Sequence, residues 1–232
     1  MALIHHTTLR PTKLELLAGW LPTRPWYHGS AAPELVKAGG FRLDDPAGEV
    51  GIEFMVVTES TDDTDSTDGA GATAGAAGAQ GPGAYLVPLT YRAAPLDGAG
   101  HALVGTMEHG VLGTRWAYDG CHDPVLTAEL LALIEGRAQA QAQSITDTPD
   151  REVARSYAGE GPVAGLGAPV DTDDSTEFAV ADSGLVLRLR RVLTPGSTAP
   201  EGAVGHVTGA WDQPDGTRTR SLFAALQALP SS

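Results

Sequence analysis

The chain contains no asparagine and only two lysines, Lys13 and Lys37, beside many alanines, glycines and arginines. We read that bias as genomic base composition and attach no function to it. Cysteine occurs once, at Cys121, which excludes an internal disulfide framework and fits a reducing compartment. Positive charge is scarce: 15 Lys and Arg stand against 29 Asp and Glu, a formal charge of −14. Phosphate backbones and anionic membrane surfaces would be repelled, so neither nucleic acid nor membrane is an expected partner. No apolar run approaches the roughly 18 residues that would suggest a membrane span. Met1 leads into a polar, histidine-rich stretch rather than a basic-then-apolar leader, and the expectation is a soluble cytoplasmic protein. What is present suffices for a core: an apolar share of 42% over 232 residues suits one large or two small domains.

The best-organised stretch runs from Gly83 to Val125. Tyr85, Val87, Leu89 and Tyr91 alternate with Leu86, Pro88, Thr90 and Arg92, the period of a strand with one buried face. Leu103, Gly105 and Met107 alternate with Val104, Thr106 and Glu108, and Thr114, Trp116 and Tyr118 with Arg115 and Ala117. Pro95, Asp97-Gly98 and Gly110 supply turns between these runs, so an antiparallel meander is predicted. Pro88 lacks a donor, which predicts an edge strand or a bulge at that point.

Upstream, Leu3–Leu9 reads as a first strand. Thr12-Lys13-Leu14-Glu15 is a capping box, opening a short helix striped by Leu14, Leu17 and Leu21 and stopped by Pro22. Val50, Ile52, Phe54 and Val56 against Gly51, Glu53, Met55 and Val57 form the clearest strand of all. Residues 59–83 are acidic and small, without aromatics or periodicity, and predict a disordered insertion. The spacing of a calcium loop is not met there.

Downstream, Asp123-Pro124 opens a helix with an N-cap oxygen and a proline at its first position. Its face of Leu126, Leu130, Leu133 and Ile134 is predicted to run on through the Ala-Gln repeat to residue 143. Residues 144–175 are Gly-, Pro- and Asp-rich and read as a linker. A second unit, 176–232, opens with a strand at Glu177–Ala181. Next, Leu185, Leu187, Leu189 and Arg191 face one way, and Val186, Arg188, Arg190 and Val192 the other. A hairpin through Pro214-Asp215-Gly216 follows, and Leu222, Phe223, Leu226 and Leu229 close the chain as a strand or a short helix.

Few residues invite chemistry. Cys121-His122 could suggest a thiol nucleophile, but neighbours in a turn rarely point at one another. His5, His6, His101, His109, His122 and His206 lack any zinc-ligand spacing. Glu53 and Glu108 have cross-strand arginine candidates in Arg92 and Arg115, so ion pairs on a solvated face are the expectation. Gly165–Asp171 is glycine-rich but has no following Lys, a weak phosphate cradle. Trp26 reads as a core or interdomain anchor.

YLVPLTYR, the following PL, the EH-x-x-LG-x-RW-x-YD run and DPV, with LPTRPWYHG before them, resemble the N-terminal cap domain of the actinobacterial maltokinases and related glucosamine kinases. Those are ATP-dependent sugar kinases of the aminoglycoside-phosphotransferase type. LVLRLRRVLTPGSTAPEG and DGTRTRSLFAALQALP more loosely resemble their smaller, nucleotide-covering lobe. The resemblance makes Arg188 and Glu201 vestigial phosphate-pairing positions, Arg188 standing where the family has a lysine. The His-Gly-Asp catalytic loop of the family has no counterpart before Ser232, where its catalytic lobe should begin.

The expectation is therefore an α+β protein: an antiparallel cap sheet with flanking helices (1–143), then a small β-rich unit resembling a kinase N-lobe. It is expected to act without catalysis, as an accessory or regulatory protein in maltose, trehalose or glycogen metabolism, needing no cofactor. Its partner would be a protein: a sugar kinase, another α-glucan enzyme, or a second copy of itself. Trp26, Phe223, Leu226 and Leu229 are the expected docking residues. The alternative is part of a sugar kinase that needs ATP, magnesium and a catalytic lobe from another chain.

Overall fold

Thr12 starts the first helix as its sequence predicts: its hydroxyl accepts from the Glu15 amide and the Glu15 carboxylate accepts from the Thr12 amide. That helix, α1 (Lys13–Trp20), follows a short strand β1 (Leu9–Arg10) and passes into a 3-10 turn at Leu21–Thr23, where Pro22 ends the α-helical ladder. The computed structural model describes residues 9–60, 83–143 and 148–229. The strand expected from Leu3, the histidines His5 and His6, and the insertion from residue 61 to 82 lie outside the described residues.

The cap strands are β2 (Leu35–Asp44), β3 (Gly51–Glu59), β4 (Ala84–Arg92), β5 (Leu103–His109) and β6 (Gly113–Asp119). After α2 (Pro124–Glu135) come β7 (Ala154–Tyr157), β8 (Val170–Asp171), β9 (Ser175–Ala179), β10 (Leu185–Arg190), β11 (Val192–Leu193), β12 (Gly205–Asp212) and β13 (Arg218–Ala228). Thirteen strands share one sheet in the order β1-β5-β6-β4-β3-β2-β12-β13-β10-β9-β8, with β11 on β4 and β7 on β12. The described residues are thus mostly antiparallel sheet with two short α-helices, compatible with an α+β class.

The sheet closes on itself. Antiparallel ladders join β4 to β3, β3 to β2, β2 to β12, β12 to β13 and β13 to β10. The chain then runs from β10 through Arg191 into β11, which pairs back onto β4 through Val192↔Tyr85 and Leu193↔Ala84. One join is thin: β2 meets β12 through the single pair Trp211↔Gly39, at a register shift in β2.

Pro88 does not mark an edge, because β4 is paired on both sides. On one side β11 covers Tyr85 and Ala84, and β6 covers Leu89 to Arg92. Leu86 donates its amide to Arg191 O on that side, and Pro88, two residues on, faces the gap between the two neighbours. A missing donor costs no ladder bond there.

Closure also buries both faces of β3 and β4, where the sequence pattern had suggested one. Ile52, Phe54, Val56 and Leu86 point into the ring with Phe41, Leu130, Ile134, Val207, Trp211, Phe223 and Leu226. Phe41 stacks on Phe54 at 4.5 Å, with Phe223 at 6.2 Å on the same stack. Met55, Val57, Tyr85, Val87 and Leu89 face the other way, under Leu17, Trp20 and Trp26.

Two expectations need correction. The second helix does not continue through the Ala-Gln repeat. Gly136 adopts a left-handed conformation (φ 82°), and the amides of Arg137 and Ala138 turn back onto Ala132 O, a glycine stop that outweighs the helix propensity beyond it. The chain then lies along β2, Gln141 exchanging backbone hydrogen bonds with Arg42. The C-terminal apolar end is not a docking face. Residues 218–228 form a strand paired on both sides, so Phe223 and Leu226 are core at 2% and 0% exposure, and only Leu229 emerges, at 54%. Truncating Phe223 would cost about 3–5 kcal/mol of packing, and would damage the fold before any association.

Candidate functional site at the seam

Three resembling segments meet at one buried cluster. Arg191, between β10 and β11, has no solvent exposure, and its Nη2 donates to both oxygens of Asp119, at 2.8 and 2.6 Å. Its Nε donates to Thr176 Oγ1 at 2.7 Å, and that hydroxyl donates onward to Asp171. The guanidinium carbon sits 4.8 Å from the ring centroid of Trp26, itself fully buried. Nη1 has no acceptor among the described residues; the aromatic face offsets part of that cost. Burial works against the guanidinium's charge, but the surrounding groups, Asp119 foremost and Asp171 with it, together outweigh it, so its pKa lies above the ordinary value. The pair holds the RW-x-YD run of the cap to the LVLRLRRVL strand. His28 adds a contact between the same parts, its Nε2 lying 3.1 Å from Asp173 O.

Trp26 is accordingly an internal anchor, with Trp20 edge-on at 5.9 Å and Tyr85 at 6.2 Å. It offers no surface to a partner, which corrects its place among the docking residues. Arg188 sits on β10 opposite Glu177 of β9, donating to its carboxylate at 2.7 and 2.6 Å. Glu201 lies exposed in the turn before β12. Among the described residues the structure does not bring Arg188 and Glu201 together.

Glu53 is not on a solvated face. Only 4% exposed, it receives Tyr91 OH at 2.7 Å, Gln143 Nε2 at 3.1 Å and the Lys13 ammonium, with Lys37 at 3.9 Å. Both lysines of the chain therefore converge on one carboxylate. Its expected partner Arg92 instead clasps Asp123, the N-cap of α2, through two bonds of 2.7 Å. Glu108 accepts from Thr114 Oγ1, while Arg115 turns to Thr114 O, so that pair does not form either.

Burial pushes the Glu53 pKa up, but Lys13, Tyr91 and Lys37 together bring it below the ordinary carboxylate value. A depressed folded-state pKa adds stability that is complete above the unfolded carboxylate's pKa and lost as pH falls through the folded one. Glu53→Gln is expected to lower stability at pH 7 by about 1–3 kcal/mol and to flatten the fall in melting temperature on acidification towards pH 3. Equal acid sensitivity in variant and parent would contradict this.

Other candidates are scattered. The Cys121 thiol is buried, and burial pushes its pKa up, which disfavours the nucleophilic thiolate. His122 turns to His101, ring nitrogens 3.1 Å apart. No group of three or more His, Cys, Asp or Glu is placed to hold a metal among the described residues. The Gly165–Asp171 stretch runs along β9, Gly167 donating to Ala179 O, so that amide is already committed. No helix among them is long and apolar enough to cross a membrane.

Sequence reasoning placed Arg191 on the apolar face of its strand and overlooked it. An arginine ending a run of core-facing leucines was the available signal, since such a charge needs a buried partner. No curated protein matches this chain. Residues 20–123, which hold Trp26 and Asp119 but not Arg191, match the family model of the maltokinase N-terminal cap domain.

Proposed function

We propose that this chain serves maltokinase-like sugar metabolism without catalysing phosphoryl transfer itself, docking onto a protein partner through its cap and second half together. The cap match, clasped at Asp119 to Arg191 beyond it, carries this reading. A cap has a role only relative to the kinase-type body it leans on, and here it leans on residues 175–229. That second half is read as a vestigial N-lobe. Its phosphate-pairing position, Arg188, is neutralised by Glu177, and arginine is a poor substitute for a phosphate-pairing lysine. The partner is a sugar kinase or another enzyme of α-glucan, trehalose or glycogen metabolism.

The purified chain, supplied with ATP, magnesium and maltose, glucose or glucosamine, is expected to form no sugar phosphate above a protein-free control. Formation that survives repurification and is abolished by Arg188→Ala would overturn the non-catalytic reading. On the docking side, the immobilised intact chain should retain a sugar-metabolic enzyme from an extract of its own cells, and a purified pair should co-migrate. Tight magnesium-dependent ATP binding would favour the alternative, in which another chain supplies the catalytic lobe.

A further inference from the structure

Outside the matched cap, a cleft of about 380 Å³ opens on the outward face of the second half, between the loop after β11 and strands β12 and β13. Ser197 and Thr198 of the loop, His206 and Thr208 of β12, and Arg220 of β13 line it. None of its lining residues is acidic, in a chain with 29 Asp and Glu against 15 Lys and Arg. Five of the seven lining residues have a side chain that can donate a hydrogen bond, and one of them carries a permanent positive charge.

The cleft is held open by its own hydrogen bonds. Gly196 donates to Arg220 O at 2.8 Å, and Ser197 N closes a turn onto Thr194 O. Ser197 Oγ accepts from the Leu222 amide, while Ser221 Oγ accepts from Trp211 Nε1 and donates to Thr194 O. The loop is thereby pinned to the sheet at both shoulders. Arg220 is fixed at one corner, Nη1 donating to Glu152 O at 2.6 Å and reaching Thr208 Oγ1 at 3.4 Å. Its Nε and Nη2 have no hydrogen-bond acceptor among the described residues. The Glu152 carboxylate is engaged by Arg218, and Arg220 meets only the Glu152 backbone carbonyl. A guanidinium fork anchored at one nitrogen, with two N–H groups in plane, matches a tetrahedral oxyanion better than a neutral hydroxyl.

We infer that this cleft binds a phosphate group, either free inorganic phosphate or the phosphate of a small sugar ester, with Arg220 as its charged contact and Ser197, Thr198, Thr208 and His206 as hydrogen-bonding walls. It does not rest on the docking reading: the cleft is argued from its own lining, which includes no residue of the cap or of the Asp119–Arg191 seam. Charge and hydroxyl count select the phosphate, and the volume leaves room for a sugar ring beside it.

Titration of the isotope-labelled full chain with inorganic phosphate, glucose 1-phosphate and glucose, followed by amide and histidine ring shifts, tests this. Saturable shifts at Ser197, Thr198 and His206 are expected with both phosphates and not with glucose. A tighter constant for the ester would identify the sugar phosphate as the source, and equal constants would identify free phosphate. Arg220→Gln should weaken binding at least tenfold, and Arg24→Gln, at a position outside the cleft, should leave it unchanged. Should Arg220→Gln disturb the fold, Thr208→Val with His206→Ala provides the second reading, with several-fold loss expected. Non-saturating shifts, shifts centred elsewhere, or undiminished binding by a folded variant would overturn the assignment.

Discussion

Asp119→Ala is expected to lower the midpoint of thermal unfolding by about 10 °C. The substitution leaves Arg191 charged, fully enclosed and without its carboxylate, with only Thr176 Oγ1 still accepting from Nε. Breaking a buried pair from one side costs about 3–5 kcal/mol, and each kcal/mol moves the midpoint of a domain this size by about 2–4 °C. Combining Asp119→Leu with Arg191→Met should recover much of the loss, because no uncompensated charge then remains. The coupling should be visible as a double variant more stable than Asp119→Ala alone. A single variant within 2 °C of the parent would mean the guanidinium finds another partner or water, and the seam is not electrostatic.

Gly40→Ala is the second large effect, with a loss of about 3 kcal/mol or more expected. Gly40 has φ +119°, and an added Cβ would stand 2.0 Å from Phe54 O and 2.8 Å from Gln143 Nε2. The first neighbour is backbone of the paired strand and cannot move without opening β2 from β3. Gly40 also adjoins Gly39, the only residue of β2 in register with β12, so the strain falls on the thin side of the ring. Gly216→Ala is the control: its φ is +81° but nothing lies within 4 Å, so only the left-handed backbone cost of about 1–2 kcal/mol applies. Similar losses at the two positions, measured by denaturant midpoints, would contradict the steric account.

Local chemistry was readable where its partner lies within a few residues. The Thr12–Glu15 box and the Asp123-Pro124 start both formed as the sequence indicates. Strands β4, β5 and β6 form where the alternation places them, but not as the predicted meander: β6 inserts between β4 and β5, which do not pair. Non-local facts were not readable. Alternation tells which side chains share a face but not what covers it, so β3 and β4 gave no sign that both faces are enclosed. Glu53 stands opposite Leu89, which puts Arg92, three residues on, on the other face of the sheet, so each takes a partner brought in by a helix, Lys13 from α1 and Asp123 at the start of α2. Phe223 and Leu226 looked uncovered because the closure of β13 between β10 and β12 depends on pairings made across the whole chain. Gly136 was, like Arg191, a local signal that was present and passed over, set against a long run of good helix formers.

The seam also bears on how the cap can work. If β11 and Arg191 hold the cap strands from outside the matched region, a docking event felt by one part reaches the other through hydrogen-bonded backbone. That would make cap and second half a single cooperative unit.

Native-state hydrogen exchange on the intact chain tests that claim most directly. Amides of β3 and β4 and those of β10 and β13 should share one opening free energy, and Asp119→Ala should lower both sets by the same amount. Cap amides that stay protected while β10 and β13 exchange freely, or a variant that shifts one set alone, would contradict it.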